Sequence, residues 1–172
     1  MVATAKPVGP SRWRESYGRY YEDFEVGAVY EHRPGRTVSE ADNTWFTLLT
    51  MNQHPLHFDA AYAAKSEFGR MVVNSCLTLS IVAGMSVSDI SQKAIGNLGW
   101  NDIRLVAPVF IGDTIYAESE VIAMRESAKR PTQGVVTVRT TGRKADGTVF
   151  MTYERTVLVP KRGHAVDDAA EY

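Results

Sequence analysis

The sequence predicts an α+β protein in which a curved antiparallel sheet of about five strands is wrapped on one long buried helix. Three features carry that expectation. Residues 75–91 set Leu77, Leu79, Ile81, Val82, Met85, Val87 and Ile90 on nearly every side of a helical projection, as in a helix surrounded by protein. Residues 115–123 then change to a period of two, with Ile115, Ala117, Ser119, Val121 and Ala123 alternating against Tyr116, Glu118 and Glu120. Two further β-rich runs, 135–143 and 149–159, flank Asp146-Gly147, whose glycine suits the positive dihedral of a tight hairpin turn.

The remaining elements follow in order. Residues 1–18 mix Pro7, Gly9 and Pro10 with charges and show no periodicity, so they read as a tail, and 161–172 beyond Pro160 read the same way. One domain, 19–160, lies between them. A strand is expected over 28–37. Ser39 with Glu40 and Asp42 forms a helix-start pattern ahead of Trp45, Phe46, Leu48 and Leu49, giving a short amphipathic helix that must end before Pro55. Another turn or two fits 59–66. A strand over 95–106 precedes the punctuation at Pro108 and Gly112-Asp113, and no internal repeat or low-complexity segment is visible.

Composition narrows the function classes. A chain of 172 residues, 44% hydrophobic, supports one domain with a substantial core. Its net charge of −1 offers no overall basic field for nucleic acid or an anionic membrane, so neither is an expected partner. Cys76 is the only cysteine, which excludes an intrachain disulfide framework and a cysteine zinc cluster and fits a reducing, cytoplasmic setting. No export signal and no membrane-spanning apolar run is apparent.

His57 is the residue to explain. Pro55 fixes one backbone dihedral and biases His54 away from helical geometry, so His57 sits on a constrained connection at the mouth of the buried helix. Histidine there is well placed to trade protons near neutral pH, although a turn histidine satisfied by backbone groups has the same sequence appearance. His54, His57 and Asp59 beside a proline turn do not make a metal-ligand set. Cys76, among apolar residues, is expected to pack in the core. Arg104 interrupts the apolar run Ile103, Leu105, Val106 and is a candidate for binding an anionic ligand, as is Arg70. The cluster from Arg125 to Arg130 reads as a solvated strand end.

Met51-Asn52-Gln53-His54-Pro55-Leu56-His57 resembles the Gly-Asp-x-Asn-Pro-Leu-His motif of the MaoC-like dehydratases, a hotdog-fold family that includes R-specific enoyl-CoA hydratases. The stretch Pro108-Val109-Phe110-Ile111-Gly112-Asp113 resembles the family's Pro-Val-Phe-x-Gly-Asp, and Asn74-Ser75 stands where the family has His-Gly at the start of its central helix. The likeness covers about residues 19 to 160 and implies a single hotdog domain.

The resemblance makes His57 the base that activates water, puts Asn52 at the family's catalytic aspartate and sets the Ser75 N–H where the thioester carbonyl is polarised. Asn74 is carried over as a substrate-binding residue. An amide cannot deliver a proton as a carboxyl group can. His57 therefore handles both transfers, another acid helps, or the activity is lost. The implied function is reversible addition of water to a 2-enoyl-CoA thioester, with no cofactor beyond the coenzyme A of the substrate. Asn52 with Asn74-Ser75 looks like the mesaconyl-CoA and itaconyl-CoA hydratase branch, and an amide would remove repulsion toward a dicarboxylic acyl group. The alternatives are a hotdog thioesterase, disfavoured by the lack of Asp or Glu over 75–88, and a non-catalytic acyl-CoA-binding or structural subunit. Family members pair their sheets, which implies a homodimer or a multiple of dimers.

Overall fold

The computed structural model describes residues 4–170 and begins with a two-stranded antiparallel ribbon, β1 (Thr4–Gly9) and β2 (Arg12–Ser16). This corrects the expectation of an N-terminal tail. Prolines that argue against a central strand are tolerated here because Pro7, opposite Trp13, belongs to a ribbon with only one partner strand, and Ser11 makes the turn with φ 52°.

β3 (Val29–Thr37) leads into α1 (Glu40–Leu49), then α2 (Ala60–Ala63), α3 (Ser75–Met85), β4 (Gly96–Leu105), β5 (Thr114–Glu126), β6 (Gln133–Lys144) and β7 (Val149–Pro160). The five strands β3 to β7 form one antiparallel sheet in the order β3-β5-β6-β7-β4. Register shifts within four of its strand pairs are the bulges that bend such a sheet. The β6–β7 turn falls at Asp146-Gly147, with Gly147 at φ 88°. Ser39 caps α1 by accepting from the Asp42 N–H, and the Asp42 carboxylate returns the bond to the Ser39 N–H.

The helical run expected over 75–91 is divided: α3 stops at Met85, and Val87–Ser91 continues as a wider π-helical turn. Leu77, Thr78, Ile81 and Val82 are buried, whereas Ser75, Cys76, Ser80 and Gly84 are exposed. The helix is therefore not covered on all sides, and Cys76 is an exposed thiol rather than a core residue. Its apolar neighbours turn toward the sheet; the small residues turn away.

The C-terminal segment also departs from a tail. α4 (Val166–Ala169) is anchored by the Asp168 carboxylate, which accepts from the Tyr20 hydroxyl at 2.6 Å and from the Ala165 N–H at 2.8 Å. Burial, followed by the bond to Asp168, pushes the Tyr20 hydroxyl pKa up to about 12. Among the described residues no helix is long and apolar enough to cross a membrane.

The core has two apolar clusters. One gathers Val38, Val73, Leu77, Ile81, Val82, Ile115, Phe150 and Tyr153; the other gathers Phe24, Ile90, Val121, Val136, Val138, Val157 and Val159. Between them every inward position is polar: Ser119 follows Ala117 and precedes Val121, Thr140 follows Val138, and Arg155 lies between Tyr153 and Val157.

Candidate active site

α1 ends where Met51 adopts φ 59°, a left-handed position that favours glycine. Asn52 then closes the turn, its N–H reaching the Thr47 carbonyl at 3.0 Å and its Oδ1 accepting from the His54 N–H at 3.0 Å. His54 Nδ1 accepts from the Leu56 N–H at 3.1 Å and so caps the single 3-10 turn Pro55–His57. Pro55 fits the start of that turn because no acceptor is needed for its absent N–H.

His57, half-buried, has Nδ1 2.8 Å from the Val72 carbonyl oxygen. A carbonyl can only accept, so the network assigns the ring proton to Nδ1 and leaves Nε2 as an acceptor in the neutral ring. That is the tautomer a general base requires. Asn43 on α1 lies behind this turn, fully buried, donating from Nδ2 to the His57 carbonyl at 2.7 Å and the Val72 carbonyl at 3.3 Å. Its Oδ1 accepts from the Asn74 N–H at 2.8 Å.

Asn74 caps α3, accepting from the Cys76 N–H at 2.9 Å through Oδ1 and donating to Thr47 Oγ1 at 3.3 Å. Its Oδ1 serves the cap and its Nδ2 reaches across to α1, so both polar atoms of this buried side chain have partners within the protein. The next N–H, that of Ser75, has no hydrogen-bond acceptor among the described residues. It opens the helix and is suited to a developing oxyanion. A recess of about 30 Å³ beside it is lined by Val72, Ser75, Thr78, Leu105 and Pro108, so Ser75 shares a cavity with the residue that orients His57.

The two arginines are less engaged. Arg104 is exposed and paired with Asp102 at 2.9 Å, and the Arg70 guanidinium lies 3.7 Å from the centre of the Phe110 ring. Neither is hydrogen-bonded to His57 or Ser75. A larger cleft of about 710 Å³ runs along the other flank of α3 over Phe46, Leu77, Ile81 and Met85, with Arg33 and Arg36 at its rim. Neither His57 nor Ser75 lines it.

Sequence reasoning passed over Asn43 and a second histidine cluster. His32 is fully buried, with Nδ1 3.2 Å from Asp89 Oδ2 and Nε2 2.8 Å from Ser119 Oγ, which lies 2.8 Å from Thr140 Oγ1. Burial lowers the His32 pKa, and Asp89 opposes it. Arg155, also buried, donates to Asn97 Oδ1 at 2.8 Å and Ser86 Oγ at 3.0 Å. Only the break in apolar alternation at Ser119, Thr140 and Arg155 announced this belt. Among the described residues no group of three or more His, Cys, Asp or Glu side chains could hold a metal ion.

A family model described as mesaconyl-CoA hydratase matches residues 11–172. The chain is 36% identical to the mesaconyl-CoA hydratase of Cereibacter sphaeroides over 86% of its own length and 43% of that protein. It is 30% identical to the (R)-specific enoyl-CoA hydratase of Aeromonas caviae over 81% of its length and 98% of that protein. A Mycobacterium tuberculosis protein described as having a double hotdog fold superposes with a TM-score of 0.79 at 22% identity, covering 87% of this chain and 47% of the other. The fold is shared. The chain spans less than half the length of the Cereibacter mesaconyl-CoA hydratase.

Proposed function

The chain belongs to the mesaconyl-CoA hydratase family of MaoC-like hotdog proteins, and on that premise we propose that it reversibly adds water across the double bond of a 2-enoyl-CoA thioester. The observation that carries this reading is the His57 tautomer, with Nδ1–H spent on the Val72 carbonyl and Nε2 left as acceptor. In the hydration direction Nε2 takes a proton from water as its oxygen bonds to C3 of the enoyl group. The electrons of the double bond move toward the thioester oxygen, where the Ser75 N–H stabilises the enolate-like charge. The imidazolium then returns a proton to C2, so water adds without net change at the enzyme. Asn52 orients water or substrate and gives no proton.

The substrate belongs to the branched C4 and C5 dicarboxylic acyl-CoA class, of which mesaconyl-CoA and itaconyl-CoA are examples. Family membership supports this, as does the amide at Asn52, which brings no negative charge toward a second carboxylate. Arg70 and Arg104 are candidate contacts for the anionic parts of the ligand, and no cofactor beyond coenzyme A is invoked. A second hotdog unit, most simply another copy, pairs along β4. That strand is an edge of the sheet and exposes Leu98, Trp100, Ile103 and Leu105. The recess at Ser75 abuts the same edge through Leu105.

Purified protein incubated with crotonyl-CoA and with mesaconyl-CoA tests the reading. Loss of the conjugated enoyl absorbance without release of free thiol supports hydration. Free thiol makes the protein a thioesterase, and binding without either signal makes it a non-catalytic acyl-CoA-binding subunit.

A further inference from the structure

Asn43 lies outside every motif named above, yet its side chain holds both halves of the site. Its Nδ2 faces two carbonyl oxygens, those of His57 and Val72, and its Oδ1 faces one N–H, that of Asn74. The carbonyls only accept and the N–H only donates, so the amide has one chemically sensible orientation. The Val72 carbonyl that receives Nδ2 is also the one that receives His57 Nδ1. The Asn74 N–H that Oδ1 receives is adjacent in the chain to the Ser75 N–H.

From this geometry we infer that Asn43 is a positioning residue that locks the His57 ring and the Ser75 N–H into one rigid unit, so that proton transfer and oxyanion binding act on the same bound thioester. The inference rests on the hydratase reading for its catalytic meaning, and its structural half stands without it. Only asparagine meets the requirement of two donors and one acceptor at this reach. Aspartate would turn a carboxylate on two carbonyls, serine offers one donor, and glutamine is a methylene too long for a fully enclosed side chain. Losing the bonds leaves the His57 carbonyl and the Asn74 N–H to find other partners and releases the Val72 carbonyl, which then holds only His57 Nδ1 and is free to shift with the ring.

Asn43→Ala tests this by two independent readouts. The first is the nitrogen-15 spectrum of the His57 ring, which in wild type shows the neutral Nδ1–H tautomer and in Asn43→Ala shows a mixture with Nε2–H. The second is kinetic. A misplacement of about 1 Å costs on the order of 100-fold, so kcat falls by about 10-fold to 100-fold with KM nearly unchanged. In a His57→Ala background the further loss from Asn43→Ala shrinks to about 3-fold, because two residues acting as a unit do not multiply. Asn43→Ser, which retains one donor, recovers part of the tautomer preference and covers the case in which the alanine variant fails to fold. Equal losses in both backgrounds, or an unshifted His57 tautomer in a folded Asn43 variant, overturn the inference. A wild type that hydrates nothing while its His57 tautomer still depends on Asn43 overturns the hydratase reading and leaves the positioning role standing.

Discussion

His57 and His32 are both held by hydrogen bonds near the central helix, at opposite ends of it, and the difference between them separates a candidate site from a strut. His57 spends one nitrogen on the neutral Val72 carbonyl and keeps the other, and Val72 lines a recess shared with Ser75, whose helix N–H is unsatisfied among the described residues. His32 spends both nitrogens, one on Asp89 and one on Ser119, and has no surface exposed to a substrate. The chain Asp89, His32, Ser119 has the connectivity of a nucleophilic triad. Its serine is nonetheless sealed between two apolar clusters, and no reacting group can approach it. Residue types and hydrogen-bond order do not by themselves make an active site; a reacting group must also be able to reach the atom concerned.

The contrast is broken most directly at His57. Replacing it with alanine should lower kcat by about 100-fold to 10,000-fold, the range a positioned base contributes, with the melting temperature nearly unchanged. Hydration at near the wild-type rate would take His57 out of the mechanism.

His32→Ala should do the reverse, costing about 2–4 kcal/mol of stability by leaving buried partners unpaired while activity per folded molecule stays within a few-fold. Denaturant melts alongside turnover at low temperature read both quantities. A stable but inactive variant would make the belt part of the chemistry.

The same residue gives a pH signature. Burial holds the folded-state pKa of His32 below the ordinary value of 6.5, so between those two values the unfolded chain binds more protons than the native one. Stability from this source is complete above pH 6.5 and falls as the pH drops below it. Wild type should lose melting temperature from pH 7 toward pH 5 more steeply than His32→Gln, which cannot titrate; parallel curves would assign the slope to other groups.

A smaller effect sharpens the chemistry at the open end. Asn52→Asp should penalise mesaconyl-CoA relative to crotonyl-CoA by about 1 kcal/mol, because only the former brings a second negative charge toward the new carboxylate. The ratio of kcat/KM for the two substrates, at one salt concentration, isolates that difference from general damage. An unchanged ratio would return Asn52 to the turn role its bond to the His54 N–H already gives it.

The smallest effect is conformational. Met51 is exposed and left-handed, so Met51→Gly should raise stability by up to about 1 kcal/mol in thermal melts, less what the freer unfolded chain gives back. Destabilisation would show that the side chain is covered by a partner.

Much of the fold was legible because its signals are local. Alternation at Ile115 to Ala123, the glycine of Asp146-Gly147 and the Ser39 cap each fix an element through neighbours a few residues away. The tails misread because proline and glycine signal breaks wherever they occur, and a two-stranded ribbon absorbs them without cost to any central ladder. Cys76 misread because an apolar-rich helix does not reveal which stripe the sheet will cover.

By itself the sequence determined where the five strands of the main sheet fall along the chain, the position of the central helix and the turn that carries His57, since hydrophobic period, capping and proline geometry act over short chain distances. Only the tertiary structure decided that His32 spends both ring nitrogens while His57 bonds through one, and that Asn43 ties together the His57, Val72 and Asn74 backbones. Those are questions of which donor meets which acceptor across gaps of 14 to 87 residues. A buried polar group must find a partner wherever the fold brings one within about 3 Å, and no periodicity in the chain records that meeting.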